Sequence, residues 1–457
     1  MSNWKKLVLV LGLGMLSTGA VQADENDALN ELLEALHANG TIDEATYKAI
    51  RAVAEGDAAA EEEDDEISSE AVVAEAGRES DPGRAESPRI DTRGKFQVTS
   101  ADEEYSFRVG GRVQVDGTVF DEDIVSHGSG SEMRRARLFA SGTIGRVWGY
   151  KFQYDFTNSG AGGIKDAYVE YQDLGPAKIR LGHFEEPFSL QNMTSSKQVN
   201  FMERGLPQVF ETGRNLGVAV ISGSDHWSAS AGFFGTGIDN DSSGEDEGYG
   251  LSGRLTYAPV NSGGRVLHVG GSLSYRDTGG ADGVRFSERP ESHTTDIRLV
   301  DTGLIDADEF YRYGLEAVWV HHRLTLQGEY LGAGVDRGNR GPDADFEGYY
   351  GEIMWFLTDD RRPYSGSGGN FAAVNPKSAV GQGGFGAWQV GARLSNVDLI
   401  DAGIDGGEED NLTLGLNWFP NRNLRFSFNY IKVLDTRGGP FPGDEPDIFS
   451  LRGQLEF

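Results

Sequence analysis

Lys151-Phe152-Gln153-Tyr154-Asp155-Phe156 sets the pattern from which the rest of the chain is read. Phe152, Tyr154 and Phe156 fall on one face of an extended chain, and Lys151, Gln153 and Asp155 on the other. Successive side chains of a strand point to opposite sides, so this is the period of a half-apolar strand. The same period returns at Arg425 to Tyr430, at Arg323 to Tyr330 and in the last segment, Phe449 to Phe457.

Sixteen such segments can be marked, near 105–120, 130–143, 147–157, 164–173, 176–184, 212–222, 226–236, 249–258, 264–276, 308–320, 323–334, 344–357, 385–397, 410–419, 423–434 and 448–457. Many reach about 9–11 residues, the length with which a tilted strand crosses a bilayer. Every second link is short, as at Ile144 to Arg146, Leu174-Gly175, Gly223 to Asp225, Pro259 to Gly263, His321-His322 and Pro420 to Arg422. Asp359 to Gly384 is the long exception. The alternate links, such as 121–129, 185–211, 277–307 and 398–409, are mostly longer and rich in Gly, Asp, Glu and Ser. Short periplasmic turns and long outer loops produce that asymmetry, and an even count leaves both ends of the sheet on the periplasmic side. HTTDIRLVD at 293–301 is assigned to an outer loop, because a seventeenth strand would break this order.

Lipid offers no partner to edge N–H and C=O groups, so a spanning sheet must close. The pattern therefore predicts an all-β fold, a 16-stranded antiparallel transmembrane β-barrel over 94–457, with short periplasmic turns and long outer loops. Trp148, Tyr150, Trp319, Trp355, Trp388, Trp418 and Tyr430 lie near strand ends and suit an interfacial aromatic belt.

The chain has 457 residues and no Cys, which excludes a disulfide scaffold, thiol catalysis and Cys-ligated iron–sulfur centres. Its 72 acids against 41 Lys and Arg give a net charge of −31 and argue against a nucleic-acid partner. The eight His are scattered, and His321-His322 sits at a tight turn with no evident third metal ligand. There is no G-x-S-x-G elbow, H-E-x-x-H pair or Walker loop. We therefore expect no enzyme, no metal site and no cofactor.

Lys5 and Lys6, the apolar run Leu7 to Leu16 and Val21-Gln22-Ala23 read as an export signal peptide over 1–23. Residues 24–93 read as an acidic periplasmic extension of short helices and linker. Its first 68 residues, 24–91, hold 21 acids and 5 bases. Leu29, Leu32, Leu33 and Leu36 recur at helical spacing there, and Glu61 to Glu66 is a solvated acidic run.

A sixteen-stranded barrel leaves room for a water channel. Extending the alternation inward places Arg112, Gln114 and Asp116 on the first segment, and Arg135 and Arg137 on the second beside Arg134. It adds Lys151 on the third and Lys178 and Arg180 on the fifth, and Arg254, Arg276, Arg323, Arg393, Arg425 and Arg452 continue around the wall. Guanidinium donors match carboxylate and phosphate oxygens, and weak repeated sites let an anion pass. Acids such as Asp155, Asp166, Glu170 and Glu329 offer the plainer alternative of cross-lumen pairing. Strict alternation turns Arg135 rather than Arg134 inward, unless a bulge reverses the phase. The connection 185–211, with Glu185, Glu186, Phe188, Met202, Glu203 and Arg204, is read as an inward loop that narrows the lumen, because its apolar residues suit packing on the wall.

FRVGGRVQVDG (107–117), RRARL (134–138), GYKFQYDF (149–156), KDAYVEY (165–171), RLGHFEEPFSLQNMTSS (180–196), FMERGLP (201–207) and GRNLGV (213–218), with the terminal strand to Phe457, resemble the phosphate-selective porin O and P family of Gram-negative outer membranes. The resemblance covers roughly 95–457. It implies a homotrimer in the cell outer membrane, in contact with lipid and lipopolysaccharide and built by the outer-membrane assembly machinery. It implies passive diffusion of small inorganic anions, phosphate-type solutes among them, through a narrowed arginine-lined lumen. Arg134, Arg135 and Arg137 then correspond to the wall arginines of the second strand, Lys165 and Asp166 to the pair of the KDAY strand, and 184–204 to the inward loop. One departure stands out: residues 92–457 keep 51 acids against 34 bases, with seven Lys and 27 Arg. Acidic outer loops repel anions at low salt and much less in brine. The alternatives are a general or cation-preferring porin and, behind it, a non-conducting binding or adhesion barrel.

Overall fold

The computed structural model describes residues 87–92, 95–158, 160–238, 247–279 and 283–457. The expected signal peptide and almost all of the acidic extension lie outside the described residues. Sixteen long strands follow one another: β1 Ser106–Asp121, β2 Gly130–Ile144, β3 Trp148–Asp155, β4 Ile164–Leu174, β5 Ala177–Glu185, β6 Arg214–Gly223, β7 Trp227–Phe234, β8 Tyr249–Ser262, β9 Arg265–Asp277, β10 Glu309–His321, β11 Leu324–Asp336, β12 Ala344–Phe356, β13 Ala387–Asp401, β14 Ile404–Phe419, β15 Leu424–Arg437 and β16 Asp447–Glu456. Each pairs antiparallel with the next, and β16 closes on β1 from Asp447↔Asp121 to Glu456↔Arg112. The short strand Phe96–Thr99 takes the part of the same β1 edge that β16 leaves, pairing with Ser106 to Val109. The sheet is a closed barrel, as the alternation predicts.

One connection departs from expectation. The stretch 398–409 is not a long outer loop. β13 and β14 run through it to a two-residue turn at Ala402 (φ 51°) and Gly403 (φ 82°). Positive φ at both central residues matches the right-handed twist of a hairpin, so the strands continue together beyond the membrane band. Acidic composition there disguised a strand as a loop. The stretch 293–301 is a loop as read, apart from Val300–Asp301 pairing with Ser287–Glu288.

The outer face is apolar. Trp148, Trp319 and Trp355 are exposed near strand ends, and Trp388, Trp418 and Phe426 stack at centroid separations of 5.4 and 5.5 Å. The inside is divided. Toward the outer ends of β10 to β13, Phe310, Val335, Phe346, Val397 and Leu399 turn inward and bury Phe188, Leu206, Phe210 and Phe286 from two long outer connections. Each fully buried Phe stabilises such a plug by about 1.5–3 kcal/mol. The long periplasmic connection after β12 also enters. Its Phe371 packs with Leu190, Val266, Val318 and Val320. The opposite wall, β1 to β6, borders the cavities described below.

Candidate functional site: a cationic passage along one wall

A bulge builds the first part of the passage. Gln114 of β1 faces Arg135, but Val115 faces Met133, so Arg134 is the extra residue of β2. Met133 points to the lipid side, half-exposed. Arg134 and Arg135 consequently both turn inward, which resolves the sequence ambiguity in favour of neither alone.

The connection after β5 crosses the lumen. Leu190–Met193 forms a single helical turn whose backbone N–H groups at Leu190 and Gln191 donate to Glu329 of β11, at 2.5 and 3.1 Å. Farther on, Arg425 donates to the carbonyls of Val199 and Asn200, both at 2.7 Å, and Arg393 donates to that of Glu203 at 3.1 Å. Arg452 donates to the carbonyl of Met202. These three wall arginines hold the crossing backbone in place. Arg204 folds back on its own segment and donates to the carbonyl of Gln191 at 2.8 Å.

Between this crossing and the wall lies a cavity of about 570 Å³. Seven arginines (108, 112, 135, 137, 180, 204 and 214) and two lysines (151 and 197) line it, against the two acids Asp166 and Glu185. Most of these cations are anchored by acids. Arg137 Nε lies 2.6 Å from Asp155, Lys151 Nζ lies 2.6 Å from Asp166, and Arg180 Nη2 lies 2.7 Å from Glu170. Arg214 bridges Asp166 at 3.2 Å and Glu185 at 2.6 Å. Arg180 also lies over the Tyr168 ring, 4.1 Å from its centroid.

Arg112 is different. Among the described residues no carboxylate pairs with it, and its Nη1 donates to Ser196 Oγ at 2.8 Å and Ser195 Oγ at 3.3 Å. Arg135 donates to Gln114 Oε1 at 3.0 Å and has its nearest acid, Glu203, at 3.8 Å. The Nε atoms of both arginines and the Thr194 hydroxyl are buried without a hydrogen-bond partner. A buried donor left unmatched costs free energy. A second cavity of about 240 Å³ shares Arg108, Ser141 and Tyr168 with the first and reaches Gly149, Tyr150 and Gln172 beside the short turns. The two together trace a path toward the periplasmic end.

The residues singled out in the sequence divide accordingly. Arg112, Arg135, Arg137, Lys151, Asp166, Arg180, Glu185 and Arg204 line the cavity. Lys165 donates to the carbonyl of Gly162 at 3.0 Å, and Lys178 pairs with Glu170 at 3.1 Å; neither is among the lining residues. Arg134 is occupied by Glu203. Glu186 is fully buried against Arg276, and Phe188 and Met202 are buried as well. Burial would push the Glu203 carboxyl up, but Arg134, Arg135 and Arg452 outweigh it and hold the group well below the usual carboxylate range. Arg108, Arg214 and the Thr194 to Ser196 hydroxyls were not singled out. Strand parity on β1 reaches Arg108 directly, whereas nothing in the sequence orients the hydroxyls of a crossing loop.

Comparison with known proteins agrees with this architecture. Residues 107–457 match the family model described as phosphate-selective porin O and P. An uncharacterized protein of Caulobacter vibrioides is 34% identical over 390 residues, 80% of this chain and 77% of its own. Porin O of Pseudomonas aeruginosa is 29% identical over 415 residues, 80% of this chain and 92% of its own. Among solved structures, the anion-selective porin from Comamonas acidovorans aligns with a TM-score of 0.49 at 14% identity, covering 78% of this chain and 100% of its own. The chain belongs to the phosphate-selective porin O and P family, and it is an outer-membrane porin, whose family and fold point to a channel.

Proposed function

We propose that this family member conducts small oxyanions of the phosphate type, passively, along the β1 to β6 wall. The observation that carries the reading is Arg112: a buried guanidinium with no ion-pairing acid among the described residues, facing two serine hydroxyls beside Arg135. Two guanidinium forks and a set of hydroxyls can replace the hydration of an oxyanion one contact at a time. The acid-anchored Arg137, Lys151, Arg180 and Arg214 add positive field without a tight trap, and the crossing loop narrows the lumen around them. Homotrimer formation, contact with lipopolysaccharide and recognition of Phe457 by the assembly machinery belong to the same reading, supported by the family alone.

Planar-bilayer recordings under a salt gradient test it. We expect an anion-dominated reversal potential and a chloride current that inorganic phosphate reduces. Arg135→Ala should lower the anion preference, and unchanged selectivity would remove Arg135 from the site. A cation-dominated potential in the wild type would replace this reading with the general or cation-preferring one. A barrel that admits no small solute in liposome swelling would leave only a binding or adhesion role.

A further inference from the structure

Buried carboxylates fix the inserted connections to wall arginines. Glu186 pairs with Arg276 and Glu291 with Arg393, and all four side chains are at most 8% exposed. Glu203 is built differently. Arg134 donates to it twice, Nε to Oε1 at 2.9 Å and Nη2 to Oε2 at 3.0 Å, and Arg452 Nη2 donates to Oε1 at 2.6 Å. Yet Arg134 and Glu203 remain 16% and 18% exposed. β2 enters from the outer end at Gly130, so this cluster lies on the outer side of Arg135 and Arg112. Arg134 and Arg452 thus converge on one partly exposed carboxylate, in the fork geometry that also receives a phosphate-type oxyanion.

We propose that Glu203 is a tethered competitor for the passing anion: it fills the Arg134–Arg452 cluster when the passage is empty, and an incoming oxyanion takes its place before moving on to Arg135 and Arg112. The inference rests on the anion-channel reading above. Only a side-chain rotation is needed. Asp116 holds Arg452 at 2.7 and 2.6 Å independently of Glu203, and Arg393 still grips the Glu203 carbonyl at 3.1 Å. Exchange against an internal carboxylate also keeps the net hold on the solute weak, which conduction requires.

The test uses the full-length porin in planar bilayers, with chloride current titrated by inorganic phosphate. Glu203→Gln should lower the half-blocking phosphate concentration by about tenfold and raise the chloride-over-potassium permeability ratio. Glu203→Asp keeps the charge but shortens its reach, and should shift both readouts the same way by about threefold. A folded variant with an unchanged half-block overturns the proposal. If phosphate does not block the wild type, the phosphate reading fails on its own account. The permeability ratio then decides, and a ratio in Glu203→Gln no higher than wild type overturns the competitor role. If Glu203→Gln does not assemble, Glu203→Asp decides by the same measures. Equal loss of conductance to both ions, the signature of a collapsed loop, overturns it too.

Discussion

The two halves of the barrel wall carry arginines at comparable inward positions and use them in opposite ways. Along β1 to β6 the cations border water. Lys151, Arg180 and Arg214 keep 29%, 20% and 26% of their side-chain surface, and their number exceeds that of the acids around the cavity. Along β8 to β13 Arg254 and Arg393 are sealed. Arg254 with Glu316 and Arg393 with Glu291 are each 3% exposed or less. The inserted connections make the difference: one brings Glu291 to Arg393, and another covers Arg254, already paired with Glu316 of β10, with the carbonyls of Gly368 and Gly369. An inward arginine is therefore sealed where an inserted segment covers a guanidinium already matched by a carboxylate, and stays a pore residue where the contact leaves it bordering the cavity.

The sharpest way to break this comparison is to disrupt a sealed pair. Glu291 accepts from Arg393 Nη2 and Thr413 Oγ1, both at 2.5 Å, and from Ser395. Arg393→Ala should leave a buried carboxylate uncompensated and cost about 3–5 kcal/mol, read as a lower unfolding midpoint in detergent. A change below about 1 kcal/mol would place Arg393 among the solvated cations. On the open side, Arg112→Ala should do the reverse. Stability changes little, while the half-blocking phosphate concentration rises by about 10–100-fold, the worth of a charge-assisted contact of about 1.5–3 kcal/mol.

The sequence carried the closed sheet well because lipid enforces strict alternation wherever one face is wet. It carried the sealed half poorly for the same reason. In Ala317-Val318-Trp319-Val320 both faces are apolar, so the period of two disappears, and Val318 and Val320 prove to be packed inside. A continuous apolar run in a barrel strand is itself the sign of an inserted segment. The long periplasmic link carried a matching sign in Tyr364, Phe371 and Val374, aromatic and aliphatic side chains ill-suited to a solvated turn. The bulge at Arg134 left no trace in residue order, since it depends on the register with β1. The open passage was legible as cationic from parity, but which cations stay free depends on where a distant loop puts Glu203 and Ser196.

The boundary between the halves can be sharpened by pH. Glu288, on the short strand Ser287–Glu288 of the inserted outer connection, is pushed up to about 7 by burial, with Glu211 and Glu203 adding to the effect. The Arg289 backbone N–H, at 2.9 Å, and the Arg298 charge oppose it. A carboxyl raised above its unfolded value binds more protons in the docked state, so docking is firmest at low pH and weakens as pH rises through about 7. Hydrogen-exchange protection over 283–307 should fall between about pH 5.5 and about pH 8, and Glu288→Gln should flatten that profile. Protection that rises with pH would reverse the assignment.

The smallest effect concerns the edge of the open half. Lys178 is a wall cation by parity, yet its ammonium group pairs with Glu170 at 3.1 Å, is 38% exposed and lies off the cavity lining. Glu170 is also held by Arg180 at 2.7 Å, so removing Lys178 leaves no carboxylate stranded. What Lys178→Ala can remove is a screened field at the periplasmic mouth. The Debye length is about 10 Å at 0.1 M salt and about 3 Å at 1 M, so the field reaches the cavity only in dilute electrolyte. Anion preference should change by less than about twofold at 0.1 M and not at all at 1 M. Loss of preference persisting at 1 M would mean direct contact between Lys178 and the solute, and the passage would then extend beyond Arg180 to the mouth of β5.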